Sequence, residues 1–166
     1  MPAYALFLRA VNVGGTGKLP MADLRQMLSD IGCTHITTYI ASGNAVCHFD
    51  GSGEALRSKL ETALKSYAGK PVGCFVLTQP ELDTLITAQP FEGAGNQILC
   101  LLLDHTPTTL TPKNQTDEAL QIGPDCVFIH YPNGMSRSRL ALPEHALGTA
   151  RNLNTLVKMQ TLLTKI

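Results

Sequence analysis

Two stretches of this 166-residue chain space their large apolar residues for a helix, and each is held between short β-type runs. In the first, Leu24, Met27, Leu28 and Ile31 recur on one face, with Pro20 ready for a first turn and Gly32 placed to end it. In the second, Leu56, Leu60, Leu64 and Tyr67 follow a capping serine, Ser52, and stop at Gly69. The flanking runs at 4–11, 36–40, 45–49 and 72–77 are rich in apolar, aromatic and β-branched side chains, so they predict strands. The resulting order over 4–78 is β-α-β-β-α-β. A chain so ordered is expected to form the ferredoxin-like split βαβ arrangement, an antiparallel sheet with both helices on one face.

The remainder continues as α+β. Thr78-Gln79-Pro80-Glu81 fits a capping box for a helix that Pro90 limits, and Ile98 to Leu103 is a continuous apolar run expected as a central strand buried on both faces. A loop and helix are expected over 107–121, a strand over 126–131, a helix shortened by Pro143 over 140–147, and a last helix over 153–166. The expected domains are therefore a ferredoxin-like subdomain at 1–78, a linking helix and loop at 79–96, and a second, smaller α+β subdomain at 97–166. The second half echoes the first in element order, without a repeated sequence motif.

Composition narrows the partners. Thirteen basic and thirteen acidic residues cancel, with pI ≈ 6.9, so no global field recruits nucleic acid or acidic lipid. No apolar run approaches the roughly 18 residues of a spanning helix, and the start lacks the basic and apolar regions of a secretory leader. A cytoplasmic protein without a membrane partner is expected. Cys33, Cys47, Cys74, Cys100 and Cys126 include no C-x-x-C pair and read as buried thiols. His35, His48, His105, His130 and His145 show no chelating spacing along the chain, so neither a metal nor a cofactor is expected.

Chemistry concentrates in four polar segments: 9–15, 42–44, 133–139 and 149–155. In a split βαβ sheet the first two meet at one edge, which brings Arg9, Asn12, Gly14, Gly15 and Lys18 towards Ser42, Gly43 and Asn44. Glycines let a ligand approach backbone N–H groups, Asn and Ser supply neutral hydrogen bonds, and Arg offers a fork for carboxylate or phosphate. The bland alternative is that Asn and Gly merely shape turns. The glycine loop fits neither common phosphate fingerprint. A P-loop needs glycine where Asn12 stands and Ser or Thr where Leu19 stands, and the dinucleotide pattern would need its third glycine at Pro20. At the far end, Asn152 is the expected N-cap of the last helix, and Arg151 is a cation at the positive end of its dipole, a place that favours an intervening anion. Arg137 and Arg139 alternate with Ser136 and Ser138 after the turn Tyr131-Pro132-Asn133-Gly134.

These same segments resemble the bacterial family known as domain of unknown function 1697. The likeness is carried by Leu8-Arg9-Ala10-Val11-Asn12-Val13-Gly14-Gly15, Ser42-Gly43-Asn44, Tyr131-Pro132-Asn133-Gly134 with Arg137-Ser138-Arg139-Leu140, and Thr149-Ala150-Arg151-Asn152 followed by Asn154-Thr155. It implies a cytosolic bacterial protein of two α+β subdomains and implies no activity. Departures are Ala10 for a usual Gly, Leu153 for a usual Trp and Arg139 for a usual Lys, so no stacking role carries over to position 153.

The leading expectation is a site for a small phosphate- or carboxylate-bearing ligand, built from Arg9, Asn12, Gly14, Gly15, Lys18, Ser42, Gly43, Asn44, Arg137, Ser138, Arg151, Asn152 and Asn154. No general base is evident in these segments, so whether a reaction follows is left open. The alternatives are a single-stranded nucleic-acid module, for which Phe7 on strand one and Phe49 on strand three are the candidate stacking rings, or an interaction and oligomerisation domain of undefined state.

Overall fold

The computed structural model describes residues 1–9 and 18–166. Asn12, Gly14 and Gly15, with the end of the strand expected to reach residue 11, lie outside the described residues. Contacts divide the chain into two units, Met1–Leu82 with Met159–Ile166, and Asp83–Lys158. The expected boundaries at 78 and 97 fall on either side of the first division, which cuts through a helix.

In the first unit the order is β1 (Ala3–Leu8), α1 (Met21–Asp30), β2 (Thr34–Tyr39), β3 (Asn44–His48), α2 (Gly53–Ala68) and β4 (Cys74–Thr78). The strands form one antiparallel sheet in the order β2-β3-β1-β4. Alternation along β1 sends Tyr4, Leu6 and Leu8 to one face, where they cluster with Ala45, Cys47 and Cys74 against Leu24 and Leu28 of α1 and Leu56, Leu60 and Leu64 of α2. Both helices therefore cover one face of the sheet. Each such leucine, once out of water, contributes roughly 1.5–3 kcal/mol.

The helix ends follow their local chemistry. Ser52 Oγ accepts from the Ala55 N–H at 3.0 Å, and Gly69 closes α2 at φ +72°. At the end of α1, Gly32 takes φ +102° and lets the Cys33 N–H reach the Leu28 carbonyl at 2.9 Å, a Schellman closure. The helix α3 (Gln79–Ala88) opens with the expected reciprocal box: the Thr78 N–H donates to Glu81 Oε1 and the Glu81 N–H to Thr78 Oγ.

The second unit holds β5 (Ile98–Leu102), β6 (Ala119–Gly123), β7 (Cys126–His130) and β8 (Thr149–Asn152), in the antiparallel order β6-β7-β5-β8. Leu101, Leu103, Val127, Ile129, Tyr131 and Leu142 form one apolar cluster in it. Helix α4 (Leu153–Lys165) follows β8. Two expectations are corrected here. Residues 103–118 carry no helix, because Pro107 and Pro112 interrupt a threonine-rich stretch; 119–123 is instead a strand. Residues 140–147 yield only a short 3-10 turn, Pro143–Leu147, since the proline can start a turn but cannot continue a helix.

Candidate functional site

The rim at the C-terminal end of β1 is tied on both sides. The Leu8 N–H donates to the Gly43 carbonyl and the Arg9 N–H to the Gly73 carbonyl, each at 2.8 Å. Arg9 therefore stands between the β2–β3 hairpin and the start of β4. Gly73 makes room for it: a Cβ there would lie 3.2 Å from Arg9 Cδ and 3.7 Å from Glu61 Oε2. The Glu61 carboxylate also accepts the Cys74 N–H at 3.3 Å and faces Arg57 Nε at 3.5 Å. Burial first, and then this carboxylate, push the Cys74 thiol up to about 12, which keeps it protonated and inert. Lys18 is exposed.

The hairpin shows why Asn44 stands where it does. The residue is fully buried, and its Nδ2 donates to the Tyr39 carbonyl and to Ser42 Oγ, both at 3.0 Å. An amide has two such hydrogens, so both are turned into the bend. With Gly43 at φ +90° and Ile40 at φ +50°, that bridge holds a four-residue connection between Tyr39 and its partner Asn44. Asn44 organises the rim, and the main chain and Arg9 form its edge.

The remaining site residues belong to the second unit. Arg151 lies on β8 opposite Cys100, two residues before α4 begins, and strand pairing continues through Asn152. It is 7% exposed, and its Nη1 donates to Thr149 Oγ at 2.7 Å and to the Ala150 carbonyl at 2.9 Å. Desolvation lowers the guanidinium to about 10, still well above neutrality. Asn152 Oδ1 accepts the Thr155 N–H at 2.9 Å, so it caps the first turn of α4. Asn154 is packed against Gly95, where any Cβ would meet its Oδ1 at 2.0 Å.

Arg137 is exposed, but its neighbour Ser138 leads to a residue that sequence reasoning missed. Ser138 Oγ donates to Oε2 of the buried Glu118 at 2.5 Å and accepts the Leu140 N–H at 3.1 Å. Glu118 Oε1 takes the Thr116 N–H at 2.7 Å, and Asn133 Nδ2 donates to the adjacent Asp117. The Ser138 hydroxyl, followed by the Thr116 N–H, holds the Glu118 carboxyl below its ordinary range. Burial, and then Glu118, raise the Tyr131 hydroxyl. Nothing local marks Glu118 in the sequence, because its principal donor lies twenty residues further along.

No group of three or more His, Cys, Asp or Glu is placed to share a metal among the described residues. Phe7 and Phe49 are buried, so neither ring is offered for base stacking. No helix of the described residues is long and apolar enough to cross a membrane.

With this geometry in hand, comparison with known proteins gives a family. A model described as a protein of unknown function, DUF1697, matches residues 1–128. The chain belongs to the DUF1697 family. The match takes in the first two polar segments of this DUF1697 protein and stops before 133–139 and 149–155. No curated protein matches it. A solved structure, a conserved bacterial protein from Streptococcus pneumoniae, is similar at a TM-score of 0.78 and 24% identity, covering 98% of each chain. At that identity the likeness speaks for the fold.

Proposed function

We propose that this DUF1697 protein binds a small anionic ligand, bearing phosphate or carboxylate, at the rim where β1 ends. The observation that carries the reading is the pair of backbone bonds at Leu8 and Arg9, which draws the hairpin, the Arg9 stem and Gly73 together. Arg9 supplies the fork, Lys18 a second cation, and Ser42 and Gly43 the adjoining bend, while Asn44 keeps that bend in shape. Arg137, Ser138, Arg151, Asn152 and Asn154 are assigned supporting roles in the second subdomain, with the buried Arg151 as its principal cation. The proposal takes residues 1–78 as a ferredoxin-like subdomain, 79–96 as the link and 97–166 as the second subdomain, in a bacterial cytoplasmic protein; five buried free cysteines support a reducing compartment. The buried rings of Phe7 and Phe49 give the nucleic-acid alternative no support.

Thermal unfolding of the full chain with inorganic phosphate, nucleotides, sugar phosphates and organic acids tests this. A ligand at about 100 times its Kd adds about 2.7 kcal/mol, which raises Tm by roughly 5–10 °C for a chain of this size. The Arg9→Ala, Lys18→Ala double variant is expected to lose that shift. An unchanged shift in the variant, or no response to any anion, overturns the reading.

A further inference from the structure

The sequence separates the imidazoles of His35 and His48 by twelve residues, but the fold brings them together. Their ring centroids lie 4.8 Å apart on β2 and β3, with planes inclined by 43°. That inclination is neither a parallel stack nor a perpendicular contact. Two imidazoles sharing one ion, with metal–nitrogen bonds of about 2.0–2.1 Å and an angle between roughly 90° and 110°, hold their centroids about 4.5–5 Å apart. The observed separation falls within that window.

Three further features suit the pair to ligation. The β2–β3 register is irregular between Thr34 and Thr37, and His35 occupies φ +53° within that irregularity. His35 is exposed and His48 half-buried, so an ion can reach both. Thr34 Oγ lies 3.5 Å from Met1 Sδ, to which it donates, and 3.3 Å from His35 Nδ1. A hydroxyl has one hydrogen, so with that hydrogen on sulfur it accepts the proton of Nδ1 and leaves the Nε2 lone pair of His35 for a metal. A hydrogen bond of this kind, fixing the tautomer through the other nitrogen, is the usual support of a ligating histidine.

We propose that His35 and His48 form a surface site for an imidazole-preferring first-row divalent ion, copper(II) foremost by the Irving–Williams order. No third His, Cys, Asp or Glu joins them among the described residues, so the other positions fall to water or to a further ligand, and the ion is exchangeable.

The full chain is titrated with copper(II) under electron paramagnetic resonance and with nickel(II), which thiols do not reduce, under calorimetry. One equivalent is expected to bind ahead of all others with nitrogen coupling in the copper spectrum. His35→Asn, chosen because Asn tolerates positive φ, and His48→Gln are each expected to weaken that equivalent at least tenfold, whereas His105→Gln leaves it unchanged. Circular dichroism identifies any variant that fails to fold, and His35→Asn, at an exposed position, decides the matter if His48→Gln does. Wild-type affinity in His35→Asn, or no preferred equivalent in the parent chain, overturns the proposal.

Discussion

The two sheets share a strand order and differ in the connections between their strands. Advancing each strand number by four turns β2-β3-β1-β4 into β6-β7-β5-β8. The correspondence extends to single bonds: the Leu8 N–H meets the Gly43 carbonyl in one sheet, and the Leu103 N–H meets the Asp125 carbonyl at 2.9 Å in the other. In the first sheet the two long connections are α1 and α2, whose leucines fill the cluster beneath them. In the second they are largely irregular chain, with Leu110, Met135, Leu140 and Leu142 as their main apolar contribution. Hydrogen bonds hold much of that chain, with Glu118 gathering Thr116 and Ser138. Strand order is thus independent of whether the long connections are helical, and their make-up decides whether apolar area or a buried carboxylate anchors them.

This contrast can be broken by substitution. Leu60→Ala removes a fully buried side chain from the helical cover and is expected to cost about 2–5 kcal/mol in urea unfolding followed by circular dichroism. A cost under about 1 kcal/mol would mean that the leucine stripe is not what secures the first sheet. Asn44→Ala, which removes the donor to the Tyr39 carbonyl and Ser42 Oγ, is expected to cost about 1–3 kcal/mol without altering the helices.

Ser138→Ala should cost least, about 1–2 kcal/mol, and its signature is pH dependence. A carboxyl held below its unfolded value contributes stability that is complete above the unfolded pKa, about 4.3 for Glu, and is lost as pH falls through the folded one. Acid unfolding curves of the parent chain should therefore carry a Glu118 contribution that shrinks in Ser138→Ala. Equal acid sensitivity in the two proteins would remove the carboxylate anchor from the comparison.

The helical cover was legible in the sequence because period and caps are local: Leu24 to Gly32 and Ser52 to Gly69 state their own beginnings and ends. The cover of the second sheet was not, since Pro107, Pro112 and Pro143 mark where helices fail without saying what replaces them. The strand that carries Arg151 is hidden for a related reason. Asn152 caps α4 and strand β8 reaches the same residue, so a motif that looks like a loop is a strand passing straight into a helix. Of the rim, the meeting of β1 with the hairpin followed from element order, whereas the inward turn of Asn44 depends on a carbonyl, Tyr39, whose availability no side chain advertises. The histidine pair was hidden by distance along the chain.

Helix α4 contributes Leu153 to Lys158 to one unit and Met159 onwards to the other, with Met159 and Leu163 both buried. During synthesis the amino-terminal unit is then complete only once the entire second unit has left the ribosome. No single break in the backbone can release both units whole, so a gene fragment ending near residue 82 would lack the last eight residues of its own unit.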